Sequence, residues 1–266
     1  MQKFNYHTHT VRCGHADGNM RDEDYIKELL DVGITKMSFT DHAPMKEQID
    51  TRKYMRMEYS QAKEYVDSIN ILKEKYKDKI EIQAGFEVEY LPGQEENLFE
   101  LKKMCDKLIL GQHFVYNTDK TALKVFRIDQ FGYDDMIRYA SYIKTSMEIG
   151  LIDIVAHPDV FMLSQSAFSK AERDASEIIC KAAAETKIPL EINLAQAQSL
   201  VANPTAKVCY PVREFWEIAS HYNVNVIYGI DAHNRQQIRN YEKSITIANE
   251  IIGKETIAKL NFLTDL

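Results

Sequence analysis

The 266-residue sequence has only four cysteines, Cys13, Cys105, Cys180 and Cys209, widely separated and without a CxxC pair. That is too few for a disulfide framework and is the usage expected in a reducing compartment. Proline (six), glycine (ten) and tryptophan (one) are also sparse, while 45% of the residues are hydrophobic and 27% charged. Disordered, collagen-like and low-complexity organisations are therefore excluded. An excess of positive charge is missing too. Lys and Arg total 33 against 40 Asp and Glu, a net charge of −7, and the basic residues are scattered. Neither duplex nucleic acid nor a membrane surface is an expected partner. No stretch approaches the ~18 consecutive apolar residues of a membrane span, and the opening MQKFNYHTHT lacks a basic region followed by an apolar core. The expected location is the cytoplasm.

What is present is an alternation. Short β-rich runs are followed by segments of helical period: KFNYHTH by DEDYIKELLDVG, ITKMSFTDH by YSQAKEYVDSINILKEKYKDK, and IEIQAGFEVEY by ENLFELKKMCDK. The second half continues with LILGQHF and DDMIRYASYIKTSMEIG, IDIVAHP and AERDASEIICKAAAETK, IPLEINLA and YPVREFWEIASHYN, and VNVIYGIDAH and RNYEKSITIANEIIG, giving seven units in all. In the fifth helix Ala175, Ile178, Ile179 and Ala182 recur at i, i+3, i+4, i+7, the stripe of a helix packed on a sheet. The strands are apolar almost throughout, as buried parallel strands are. The length suits a single α/β barrel of about 250 residues, and with no repeat or linker the expectation is one domain over 1–266. Residues 43–58 and 114–134 exceed the usual short connection, and loops of that size tend to be functional.

Eight histidines are present, and seven stand at or just past the C-terminal end of an expected strand: His7, His9, His15, His42, His113, His157 and His233. His221, in a helical segment, is incidental. Glu87, Asn193 and Asp231 close the other strands. An open sheet would spread these residues in a row, whereas a barrel converges them on one mouth. Residues two apart on a strand share a face, which aims His7 with His9 and Asp231 with His233. A lone histidine in a strand is more often a hydrogen-bonded core residue than a ligand, but seven in equivalent positions point to metal. Nine nitrogen and oxygen donors suit two or three divalent ions, Zn²⁺, Mn²⁺ or Fe²⁺. Glu89 shares the face of Glu87, and the pattern leaves open which is the ligand. Cys13 reads as a reduced bystander, and Asp41 and Asp17 as carboxylates that orient imidazoles or cap loops.

The ordered set HTHT (7–10), CGHA (13–16), FTDHAP (39–44), GFEVEYLP (85–92), ILGQH (109–113), AHPD (156–159), EIN (191–193) and GIDAH (229–233) resembles the PHP (polymerase and histidinol phosphatase) superfamily. Arg56-Met57 and Tyr210-Pro211 resemble its histidinol-phosphate phosphatase branch. The resemblance implies a distorted (β/α)7 TIM-like barrel and a trinuclear centre. On the matching positions His7, His9, Glu87 and Asp231 would hold one ion, Glu87 with His113 and His157 a second, and His15, His42 and His233 a third. Glu87 is preferred over Glu89 on this ground alone. In some members arginines after the HPD and EIN strands hold the substrate phosphate, and here PDVFMLSQSAFS and LAQAQSLVANPTA contain none.

The expected chemistry is hydrolysis of a small phosphate monoester, L-histidinol phosphate by resemblance, which would place the protein in histidine biosynthesis. Glu87, Asp231 and His233 are the expected catalytic residues, and Arg56, Arg12, Arg52, Arg127 and Asn193 the expected substrate contacts. A phosphoesterase of the same superfamily acting on nucleotides or single-stranded nucleic acid would use the same metals but needs a basic or aromatic track, which is not visible. A metal-dependent amidohydrolase usually bridges its ions with a lysine-derived carbamate where this chain has Glu87. A non-catalytic metal-binding module would tolerate loss of ligands, and none is lost.

Overall fold

The computed structural model describes residues 2–46, 55–117, 121–126 and 131–266. In chain order the elements are β1 (Phe4–Asn5), α1 (Asp22–Asp31), β2 (Lys36–His42), α2 (Ala62–Tyr76), β3 (Glu81–Val88), α3 (Glu95–Met104), β4 (Lys107–Leu110), β5 (Phe114–Tyr116), β6 (Ala122–Lys124), α4 (Tyr133–Ile149) and β7 (Ile154–Val155). There follow α5 (Lys170–Thr186), β8 (Leu190–Asn193), α6 (Ala195–Ala202), α7 (Arg213–Ala219), β9 (Asn225–Gly229), α8 (Arg235–Arg239), α9 (Tyr241–Ile252), α10 (Lys254–Ile257) and β10 (Asn261–Phe262).

All seven expected strands are present. They form one parallel sheet in the order β1-β2-β3-β4-β7-β8-β9, with β10 added beside β9. The sheet curls until its ends meet: Thr8 bridges Ala232, with His9 N donating to Ala232 O at 2.9 Å and Ala232 N to His7 O at 3.2 Å. Below that bridge side chains replace the ladder. The Gln2 amide exchanges hydrogen bonds with the Tyr228 backbone (2.7 and 2.9 Å), and Asn5 Oδ1 accepts from Ile230 N at 2.9 Å. Because β1 is only two residues long, the start of β9 is left to pair with β10, at Asn225–Asn261 and Val226–Phe262. This is the TIM-like parallel barrel that the convergence of strand-end residues and the family resemblance implied, distorted at its seam.

Alternation along the strands sorts the core. Ala84, Phe86 and Val88 of β3, Leu108 and Leu110 of β4, and Val226 and Tyr228 of β9 belong to the large outer core beneath the helices. The inner face carries Phe4, Tyr6, Ile109, Ile154, Ala156 and Ile227, closed from below by Leu263 and Leu266. The α5 stripe is buried at Ala175, Ile179 and Ala182, and its start is fixed by a capping box between Ser169 and Glu172. The sequence reading missed the antiparallel β5–β6 pair inside the second long loop and, after EIN, the short α6, α8, α10 and β10. Each is short, and α6 has too weak an apolar stripe to register as a helix face. Among the described residues no helix is long and apolar enough to cross a membrane.

Candidate metal centre

The inner face changes character toward the C-terminal ends of the strands, and two breaks in alternation make the change. On the first strand the inward face passes from Phe4 and Tyr6 to His7 and His9; on β7 it passes from Ile154 and Ala156 to His157. His157 achieves this with a left-handed backbone, φ 30°, and Asp231 is also left-handed at φ 53°. Such conformations cost of order 1–3 kcal/mol in non-glycine residues and persist only when the surroundings over-determine them. Room for the carboxylates comes from missing side chains. A Cβ at Gly111 would overlap Glu87 Oε1, and one at Gly229 would overlap Glu191 Oε2.

Glu87 is the hub. Its Oε1 lies 2.9 Å from His157 Nε2 and 3.6 Å from His113 Nε2; its Oε2 lies 2.9 Å from His42 Nδ1, 3.4 Å from His9 Nε2 and 3.7 Å from His7 Nε2. Asp231 Oδ1 faces His9 Nε2 at 3.2 Å and His7 Nε2 at 3.4 Å. Beyond His9, whose ring stacks on His233 with centroids 4.3 Å apart, His15 and His233 bring their Nε2 atoms to 2.8 Å. Among the described residues four overlapping groups have ligand atoms close enough to share an ion: His7, His9 and Glu87; His7, His157 and Asp231; His42, Glu87 and His113; and His9, Cys13 and His233.

These groups fit cations. Among the described residues Glu87 Oε2 and Asp231 Oδ1 are buried without a hydrogen-bond partner, a costly condition for polar atoms that coordination relieves. The opposed Nε2 pairs, His7 with His9 at 3.1 Å and His15 with His233, set lone pair against lone pair unless a proton or a cation lies between them. Burial would raise the Glu87 and Asp231 carboxyls, but the surrounding imidazoles outweigh it and hold both well below the ordinary carboxylate range. Burial would lower His7, yet Asp231, Glu191 and Glu87 carry it well above 6.5, and Glu89 and Glu87 likewise raise His113. Burial and neighbouring imidazoles carry His9 well down, and burial takes His42 down to about 4. Protons thus occupy part of a site built for positive charge.

The structure brings together His7, His9, His15, His42, Glu87, His113, His157, Asp231 and His233 around one cavity of about 210 Å³, with His7 just beneath its lining. His42 stands closer to Glu87 and His113 than its expected grouping with His15 and His233 implied, though its ring is still 5.4 Å from that of His15. Glu89 stands behind the cluster. It accepts from His113 N at 2.8 Å and pairs with His113 Nδ1 at 2.9 Å, fixing that ring. Arg56 lines the cavity; Nη1 donates to Ala43 O at 3.0 Å, Nη2 lies 3.6 Å from Glu89 Oε1, and among the described residues Nε has no partner.

Two expected substrate contacts have other work. Arg12 grips Asp22 with both bonds at 3.0 Å, reaches Ser68 Oγ at 3.2 Å and covers the Tyr65 ring, so it ties the first loop to α1 and α2 and does not line the cavity. Asn193 is fully buried. Its amide donates to Glu191 Oε1 at 2.7 Å and Asp231 Oδ2 at 3.2 Å, contacts that steady Asp231. Arg52 and Arg127 lie outside the described residues. Asp41 accepts from Thr10 N (2.7 Å) and Oγ1 (2.6 Å), and Asp17 Oδ1 accepts from Asn19 N; both organise loops. The sequence reading missed Glu191, both of whose oxygens lie 3.0 Å from His7 Nδ1. Its position two residues before Asn193, on the same strand face, was the clue.

With this geometry in place, the relationship to known proteins is direct. A family model described as the PHP domain matches residues 5–195, and the chain belongs to that family. A protein of Deinococcus radiodurans named a probable histidinol-phosphatase is 25% identical over 241 residues, covering 87% of this chain and 86% of its own. The histidinol-phosphatase of Bacillus subtilis is 27% identical over 155 residues, 56% of this chain and 57% of its own. Among solved structures, the histidinol phosphate phosphatase of Lactococcus lactis subsp. lactis, complexed with zinc, L-histidinol and phosphate, superposes with a TM-score of 0.72 at 19% identity, covering 98% of this chain and 95% of the other.

Proposed function

We propose that this chain is a metal-dependent phosphomonoesterase that converts L-histidinol phosphate and water to L-histidinol and phosphate, as one barrel domain over its whole length and in the cytoplasm. The observation that carries the reading is the convergence of five imidazoles on the two oxygens of buried Glu87, with Asp231 facing two of them, beneath a cavity lined by Arg56. His7, His9, Glu87 and Asp231 would hold one ion, Glu87, His113 and His157 a second, and His15 and His233 with His42 a third. Bound divalent ions there supply the positive charge that lowers the pKa of water and neutralises phosphoryl oxygens. The protein's own part is placement: Glu191 and Glu89 orient His7 and His113, Asn193 steadies Asp231, and Arg56 offers a guanidinium to the phosphate. The cavity suits a small ester rather than a polymer, and the names of the relatives in Deinococcus and Bacillus favour L-histidinol phosphate.

The test is elemental analysis of the purified protein alongside release of inorganic phosphate from L-histidinol phosphate, other monoesters, diesters and single-stranded DNA. The expected result is bound zinc, manganese or iron, with L-histidinol phosphate turned over fastest and activity abolished by chelation. Full turnover in demetallated protein, or preference for a diester, overturns the reading.

A further inference from the structure

Hydrolysis of an alkyl phosphate leaves a strongly basic alcohol oxygen, and a hydrogen-bond donor placed there stabilises the charge that builds on it. The mouth has no spare histidine for this. All seven stand in the cluster, and the remaining one, His221, lies in the turn after α7. Once the cluster residues are set aside, the described cavity lining consists of Met55, Phe114, Phe126, Val160 and Leu163, all apolar, and two polar side chains, Arg56 and Tyr210.

Tyr210 is 92% withdrawn from solvent, at 8% exposure, and among the described residues nothing accepts from its hydroxyl. Its backbone is held from both sides by side chains. Gln196 Oε1 accepts from both Cys209 N and Tyr210 N, the latter at 3.2 Å, and Asp159 Oδ2 accepts from Val212 N at 2.8 Å and Trp216 Nε1 at 3.1 Å. Asp159 thereby ties the segment carrying Tyr210 to the loop that carries His157, whose ring centroid is 6.5 Å from that of Tyr210. The backbone that carries this phenol is thus fixed, and its ring lies in the cavity lining beside His157, where a ligand can meet it.

Resting on the phosphomonoesterase reading, we infer that Tyr210 is a further catalytic residue, its hydroxyl donating a hydrogen bond to the ester oxygen that becomes the alcohol. Water oxygen forms the new bond to phosphorus, the bond from phosphorus to the alcohol oxygen breaks, and its electron pair stays on that oxygen. One water proton ends on the alcohol and the other on phosphate, so Tyr210 keeps its proton over the cycle. Burial and the carboxylates of Asp231, Asp159, Glu191 and Glu87 hold the phenol protonated, as a donor must be.

The test is Tyr210→Phe, which keeps the ring, assayed with an alkyl ester (L-histidinol phosphate) and with p-nitrophenyl phosphate, whose leaving group needs no such help. The kcat on the alkyl ester should fall about 100-fold, the loss typical of removing one charge-stabilising donor, while the aryl ester loses less than about threefold and metal content is unchanged. Retained aryl turnover reports an intact fold and centre. Equal losses on both esters, no loss on either, or a loss of bound metal overturns the assignment. Should the wild type cleave other alkyl monoesters but not L-histidinol phosphate, the substrate reading fails and Tyr210 is tested on the ester that is cleaved. If it cleaves no monoester, the phosphatase reading itself has failed.

Discussion

The two ends of the barrel interior are built from the same strands to opposite rules. The floor, Phe4, Tyr6, Ile109, Ile154, Ala156 and Ile227 above Leu263 and Leu266, is apolar, and Lys107 lies with its Nζ 4.1 Å from the Tyr6 ring centroid. The mouth gathers imidazoles and carboxylates, leaves several buried polar atoms without partners and holds two non-glycine residues left-handed. The floor contributes stability, at roughly 1.5–3 kcal/mol for each fully buried large apolar side chain. The mouth costs stability until cations arrive, as sites shaped for chemistry do. Substitutions at the two ends should therefore separate activity from folding.

The sharpest separation is expected at Glu87. Glu87→Gln keeps the shape but removes the charge shared by five imidazoles, so it should lose two ions and turnover should fall by more than about a thousandfold, without rescue by excess metal. Elemental analysis and phosphate release check this, and a full complement of ions in the variant would move the hub elsewhere, with Glu89 the first alternative. His233→Ala should empty mainly the third position and regain part of its activity when metal is added. At the floor the pattern inverts: Ile227→Ala should cost about 2–5 kcal/mol in denaturant unfolding while the folded fraction keeps wild-type kcat.

Acidity separates the ends in another way. His7 and His113 carry raised pKa values without metal, so ions must displace their protons, and apparent metal affinity should climb with pH until those values are passed. In the ion-free protein the sign reverses. Stability contributed by His7 and His113 is fully present below about 6.5 and is lost as pH rises through their raised values. His9 and His42, lowered by burial, oppose this by losing stability as pH falls from about 6.5 toward their depressed values. Melting curves of metal-loaded and metal-free protein across pH 5.5–8.5 should therefore diverge upward, with the gap largest at the alkaline end. A constant gap would show that these imidazoles do not exchange protons for metal.

Much of the mouth was legible because its residue types are rare in buried strands and each stood at a strand end. The hub was harder: Glu87 and Glu89 share a face, and only the register that puts Glu87 beside Ile109 and Glu89 behind His113 distinguishes them. Arg12 was read as a substrate contact from its place beside the first histidines, and Asn193 from its place at a strand end. Their hydrogen-bonding capacity proves to be used by Asp22, Ser68, Glu191 and Asp231, partners brought together only by tertiary structure. The floor was hidden for the opposite reason. Apolar residues on both faces of buried strands leave no pattern that marks the inner set, and the short β10 gave no hint that the chain's last residues close the barrel.

The smallest expected effect probes the layer between the two ends. Glu191 lies below the cluster, with both oxygens 3.0 Å from His7 Nδ1 and Oε1 also accepting from Asn193 at 2.7 Å. Both partners present N–H groups, so a carboxylate, which only accepts, satisfies them together and turns His7 Nε2 toward the centre. In Glu191→Gln the amide oxygen can keep one shared position, but its NH₂ must then face the His7 N–H, and the charge that makes the imidazole a better donor to metal is gone. Affinity for the ion held by His7 and His9 should weaken about 10–100-fold in competition with a chelator, while kcat at saturating metal stays within about threefold. An unchanged affinity with a loss of kcat at saturation would place Glu191 in the chemistry rather than behind it.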